Sequence, residues 1–68
     1  MTMYYITDLE TRSILTDSHG RELWCNTRWS AKGIAQFHQQ LTGHATNYVR
    51  ADNLANENLP RQEVAWVI

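Results

Sequence analysis

The sequence is poor in the devices that staple or anchor small proteins. It has one cysteine, Cys25, so no disulfide can form within the chain. One proline and three glycines are too few for a Pro/Gly-rich linker, and there is no low-complexity tract or internal repeat. No apolar run nears the roughly 18 residues of a membrane span. The first residues lack the basic start and apolar stretch of a signal peptide. A soluble, cytoplasmic protein with no membrane association is therefore expected. Cations are sparse as well: six Lys and Arg face seven Asp and Glu, for a net charge of −1. Nucleic-acid binders of this size usually have a pI above about 9, and seven acids are too few for a dense DNA-mimicking surface.

What is there fits a single domain spanning residues 1–68. A chain this short buries roughly 60% of its unfolded surface, so its core is small and a large enclosed active site is not expected. The charge is segregated. Residues 21–50 hold Arg21, Arg28, Lys32 and Arg50 against the single acid Glu22, while the segments on either side are acidic.

Met3-Tyr4-Tyr5-Ile6-Thr7 is aromatic and β-branched and predicts a strand. Asp8-Leu9-Glu10-Thr11 suits a turn, with Asp8 and Glu10 read as ordinary exposed charges. Ser13–Thr16 predicts a second strand. Asp17-Ser18-His19-Gly20 has the Asp-first, Gly-fourth signature of a type I turn. Residues 21–26 predict a third strand. Ser30 is the expected helix N-cap, with Trp29 and Ile34 placed as a hydrophobic staple. The helix over 31–41 sets Ile34, Phe37, His38 and Leu41 on one face. Gly43 suits the left-handed C′ position, and Gly33 is read as a point of close approach to the sheet. Residues 47–51 predict a strand and 52–61 a polar loop with a helical turn near Leu54-Ala55. The apolar 63–68 segment predicts a terminal strand, which could pair across two chains as a homodimer.

The expected fold is thus α+β: an antiparallel sheet in β-β-β-α-β-β order, with the helix packed on one face. One helix covers one face of a sheet, so the other should be polar or covered by a partner.

The sequence carries little chemistry. His19, His38, His44 and Cys25 are the soft metal ligands, without the spacing of a structural zinc site. Cys25, inside a strand, reads as a buried structural thiol. No phosphate-binding glycine loop and no hydrolase or metalloprotease motif occurs. No enzyme activity, metal or cofactor is expected. Three Trp and three Tyr are many for one helix on one sheet, and Trp, Tyr and Arg dominate protein–protein hot spots. Arg21, Trp24, Arg28, Trp29, Lys32, Tyr48 and Trp66 are the candidate partner-binding residues. The favoured partner is a host protein or protein complex. The alternative is nucleic acid bound through the basic-aromatic segment 21–32, since interleaved cations and aromatics also build single-strand surfaces.

The strand start at Met3-Tyr4-Tyr5-Ile6-Thr7, the meander, the Ser30–Leu41 helix and the terminal strand form a layout. It resembles that of very small accessory proteins of phages and mobile elements, including some anti-CRISPR proteins. The resemblance implies a stoichiometric inhibitor that occludes a surface of a larger host defence complex. It assigns no individual residue a role.

Overall fold

A computed structural model describes residues 2–54 and 58–66. The elements are β1 (Tyr4–Asp8), β2 (Ser13–Thr16), β3 (Trp24–Cys25), α1 (Arg28–Thr42), β4 (Thr46–Arg50), α2 (Ala51–Leu54) and β5 (Arg61–Glu63). The α+β class is as expected, but the sheet is mixed. β5 pairs in parallel with β2, Leu15 opposite Gln62. β1 is the hub. Antiparallel β4 runs along its whole length, from Tyr4–Arg50 to Asp8–Thr46. β3 pairs Tyr4 and Tyr5, and β2 pairs Thr7 and Asp8.

Cross-strand partners share a face, and successive residues alternate faces. Tyr4, Ile6 and Asp8 therefore face α1, together with Leu15, Cys25, Tyr48 and Val64. Ile6, Leu15, Cys25, Ala31, Ala35 and Val64 form the buried core. The helix contributes Ala31, Ala35 and His38 to this interior. Short alanine side chains let the helix axis lie close to the strands. Phe37 and Leu41, expected on the buried face, are 47% and 56% exposed. Close approach comes from these alanines and not from Gly33, where an added Cβ would meet open space.

The helix also starts earlier than expected. Thr27, in extended conformation, is the N-cap, and its Oγ1 accepts the Ser30 amide at 3.2 Å. Trp29 thus falls within the first turn, where it is no staple. Thr27→Ala is expected to destabilise the fold by about 1 kcal/mol in urea unfolding, while Ser30→Ala leaves the unfolding free energy within about 0.5 kcal/mol of wild type. The reverse ranking would restore Ser30 as the cap. Gly43 ends the helix as expected, at φ 75°, donating its N–H to Gln39 O.

Two further expectations change. Strand three shrinks to Trp24–Cys25, because the Glu22 and Leu23 backbone turns to pair with β2 instead of β1. The terminal strand is the polar Arg61–Glu63, with Val64 buried after it and Ala65–Trp66 in a turn. Ile14 N donates to Pro60 O, and Val64 N to Thr16 O. This parallel register spends the polar residues on the ladder and frees the apolar ones for the core. The expected strand over 63–68 is therefore not formed by residues 64–66, and residues 67–68 lie outside the described residues. The helical turn near Leu54 is present as α2, while Ala55 lies outside the described residues.

The second sheet face is not simply left to a partner. Thr7, Ile14 and Thr16 on that face are buried. Leu59 joins Thr7, Asn47 and Val49 around a depression there. Farther along, Trp24 stands 55% exposed opposite Tyr5. Among the described residues no helix is long and apolar enough to cross a membrane.

Candidate functional site

Two places collect chemistry-bearing side chains. The first is a buried network that the sequence reading did not find. Asp8 ends β1 and opens the turn to β2. Its Oδ1 accepts the amides of Glu10 at 2.9 Å and Thr11 at 3.2 Å, the local bonding that makes aspartate a turn former. That fixes the other oxygen toward the helix. Asp8 Oδ2 is bonded to His38 Nε2 at 2.9 Å and to His44 Nδ1 at 2.8 Å. His38 comes from the last turns of α1. His44 is set by the helix end, where Thr42 Oγ1 donates to His38 O and accepts the His44 amide.

Asp8 is 0% exposed, so it is no ordinary surface charge. Burial by itself raises its pKa. The hydrogen bonds from His38 and His44 and from the Thr11 and Glu10 amides outweigh it, lowering the pKa from 3.8 to about 2. The carboxylate is ionised and can only accept.

The fourth member is Trp66, whose indole Nε1 donates to His38 Nδ1 at 3.0 Å. An indole N–H is a donor only. His38 Nδ1 must therefore present a lone pair, and the ring is neutral with its proton on Nε2, aimed at Asp8. Both nitrogens of His38 are engaged. His44 donates its Nδ1–H to Asp8 and keeps Nε2 for solvent, with its side chain 38% exposed. Trp66 also packs edge-on against Phe37, ring centroids 5.2 Å apart.

Asp8, His38 and His44 bring three ligand-type atoms within 4.8 Å of one another. The arrangement does not fit a resident metal. Zn–N bonds of about 2.0 Å put neighbouring ligand atoms about 3.3 Å apart or more in tetrahedral geometry. The 2.8 and 2.9 Å contacts here are hydrogen-bond lengths. Ligation through His38 Nε2 would also move its proton to Nδ1, against the Trp66 donor.

The second place is on the surface, and it holds four of the seven expected contact residues. Arg28, Trp29, Lys32 and Tyr48 line one shallow depression between the start of α1 and β4. Trp29 is 85% exposed. Tyr48 is held by an edge-on contact with Tyr4, centroids 5.7 Å apart. Arg21 and Trp24 lie elsewhere, in a separate depression with Tyr5, Glu22 and Leu23. Trp66 is at the far end of α1, engaged by His38 and Phe37. The seven residues therefore do not form one surface.

The charges around Trp29 run against the helix. A helix N-terminus carries partial positive charge and favours acids, each charge there being worth about 0.3–1 kcal/mol. The first turn of α1 has no acid, and Arg28 and Lys32 occupy that end. Among the described residues, Arg50 pairs with Asp52 and Arg61 with Glu22, while neither Arg28 nor Lys32 has an ion-pair partner. Cys25 is buried, as expected, and burial pushes its thiol pKa up, away from the reactive thiolate.

Comparison with known proteins finds no matching family model, no matching curated protein and no matching solved structure.

Proposed function

We propose that this chain is a non-enzymatic protein-binding domain. It docks through the surface of Arg28, Trp29, Lys32 and Tyr48 onto an acidic patch of a larger protein. The observation that carries this reading is Trp29, a large aromatic left 85% exposed at a cationic helix end. The side chain does little for the isolated fold. Buried in a partner's apolar pocket, it would be the kind of aromatic anchor that dominates interfaces. Carboxylates on the partner would meet Arg28 and Lys32 and relieve their unfavourable placement at the helix start. With the layout resemblance, the role is inhibitory: a small cytoplasmic, phage- or mobile-element-type protein that occludes a surface of a host defence complex. His38, with both nitrogens engaged, and Cys25, with its thiol pKa pushed up by burial, are poorly placed to act as base or nucleophile.

The second reading is single-stranded nucleic acid, favoured by the same juxtaposition of Trp29 and Tyr48 with two cations. It is the weaker one. Arg28 and Lys32 would neutralise only two phosphates or so, and phosphate neutralisation supplies most non-specific affinity.

Affinity capture from host extract separates the two. The wild-type chain should retain a stoichiometric protein partner, and Trp29→Ala should weaken it at least about tenfold with the fold intact, as for a hot-spot aromatic. Equal retention by Trp29→Ala would overturn the reading. Recovery of oligonucleotide alone, released by modest salt, would transfer the surface to the second.

A further inference from the structure

We propose that His38 and Trp66 form a proton-operated latch, in which protonation of His38 Nδ1 expels the Trp66 indole and frees the C-terminal turn from the helix. The device rests on the donor count. His38 Nδ1 is the acceptor for Trp66 Nε1–H at 3.0 Å, and His38 Nε2–H is committed to Asp8 at 2.9 Å. A proton added to the ring can go only to Nδ1. It would place two N–H groups head to head, and the indole has no lone pair to offer. His38 is 1% exposed, so water cannot settle the conflict while the latch is closed.

The surroundings set the order of events. The titratable groups bonded to or stacked on His38 are Asp8 from β1 and His44 from the loop before β4. Asp8 remains a carboxylate well below neutral pH. His44 shares Asp8 Oδ2 and has its Nε2 toward solvent, so it can take a proton without moving. His38 can do so only by releasing Trp66. Two imidazolium rings would then share one carboxylate oxygen. Closed and open forms thus differ by one bound proton, and acid favours the open form.

Opening has a limited reach. Val64 is buried in the core two residues before Trp66, so among the described residues only the Ala65–Trp66 turn is released. Phe37 loses its edge-on partner at the same time.

The test is a pH titration of the full chain from 7.5 to 4.5, followed by NMR of the Trp66 indole N–H and the His38 ring nitrogens. At pH 7.5, His38 should be the neutral Nε2–H tautomer. On acidification the Trp66 indole should move to solvent-like shift and fast exchange as His38 becomes charged, while the β1–β4 amides stay protected. His38→Gln should keep both hydrogen bonds without a titrating ring, and so hold Trp66 closed across the range. His44→Gln should still open. Three results would overturn the latch: an Nδ1–H tautomer at neutral pH, a Trp66 signal that does not change as His38 titrates, or loss of Trp66 contact only together with global unfolding. If His38→Gln does not fold, the tautomer and exchange readouts on the wild type decide alone.

Discussion

Asp8→Ala should be the most damaging single substitution, lowering the thermal midpoint by roughly 15–30 °C or leaving the chain unfolded. The alanine removes one carboxylate and strands four donors: the Glu10 and Thr11 amides, His38 Nε2–H and His44 Nδ1–H. His38 cannot turn its other nitrogen inward, because Trp66 holds it. Each buried donor left without a partner costs about 1–3 kcal/mol, so together they cost several kcal/mol. In a domain of this size each kcal/mol moves the midpoint by about 4–8 °C, and total stability is only about 0.05–0.15 kcal/mol per residue. Asp8→Asn keeps the shape but must turn its NH₂ toward one of the two donor pairs, so it too should destabilise, by less. Circular dichroism melts of the three proteins would check the ranking. A melt of Asp8→Ala within 5 °C of wild type would remove Asp8 from the centre of the fold.

The same group gives a pH dependence of definite sign. Its pKa is about 2 when folded against 3.8 unfolded. A depressed carboxyl contributes stability that is present above the unfolded value and lost as pH falls through the folded one. Asp8 should therefore contribute about 2 kcal/mol near neutrality, lost between pH 3.8 and about 2. The stability gap between wild type and Asp8→Asn, measured by urea unfolding, should narrow over that interval.

Leu15→Ala should cost about 2–5 kcal/mol, the range for a large-to-small change in a packed core. Leu15 is 0% exposed and touches the cluster of Ile6, Ala31, Ala35 and Val64. Its strand is flanked by β1 on one side and β5 on the other, so the site has little freedom to collapse around the missing atoms. Leu41→Ala is the informative control. The apolar spacing of the helix put Leu41 on the buried face, yet it is 56% exposed. It should lie within about 0.5 kcal/mol of wild type, as surface changes do. Urea unfolding with unchanged slope checks both.

These cases show what could be read from residue order alone. The body of α1 and its end at Gly43 come from local spacing and a left-handed stop. So do the Asp17–Gly20 turn, where Gly20 N donates to Asp17 O, and the placing of β1, β2 and β4. The helix start was not legible, because Thr27 and Ser30 are both good caps and the backbone chose the earlier one. The buried face was rotated because large apolar residues were counted ahead of Ala31 and Ala35, which pack tightest. The terminal strand was misplaced because β-propensity favoured Val-Ala-Trp, whereas pairing beside β2 took Arg61-Gln62-Glu63. Asp8 was legible as a turn former through its first oxygen only. Its second oxygen meets His38 and His44, far along the chain, and no local pattern announces a contact of that range. Of the seven expected contact residues, Arg28, Trp29, Lys32 and Tyr48 line one depression. Arg21, Trp24 and Trp66 were drawn in by composition and stand apart.

The central position of β1 bears on how the chain acquires its shape. β1 is the direct partner of β2, β3 and β4, and its longest partner, β4, comes only after the whole of α1. Pairings that distant carry a large loop-closure cost before they return any stability, which slows folding relative to helical domains of equal size. The helix, held by local contacts, is the element able to form early. The sheet should then close in one late, cooperative step, with the β1–β4 zipper near the top of the barrier.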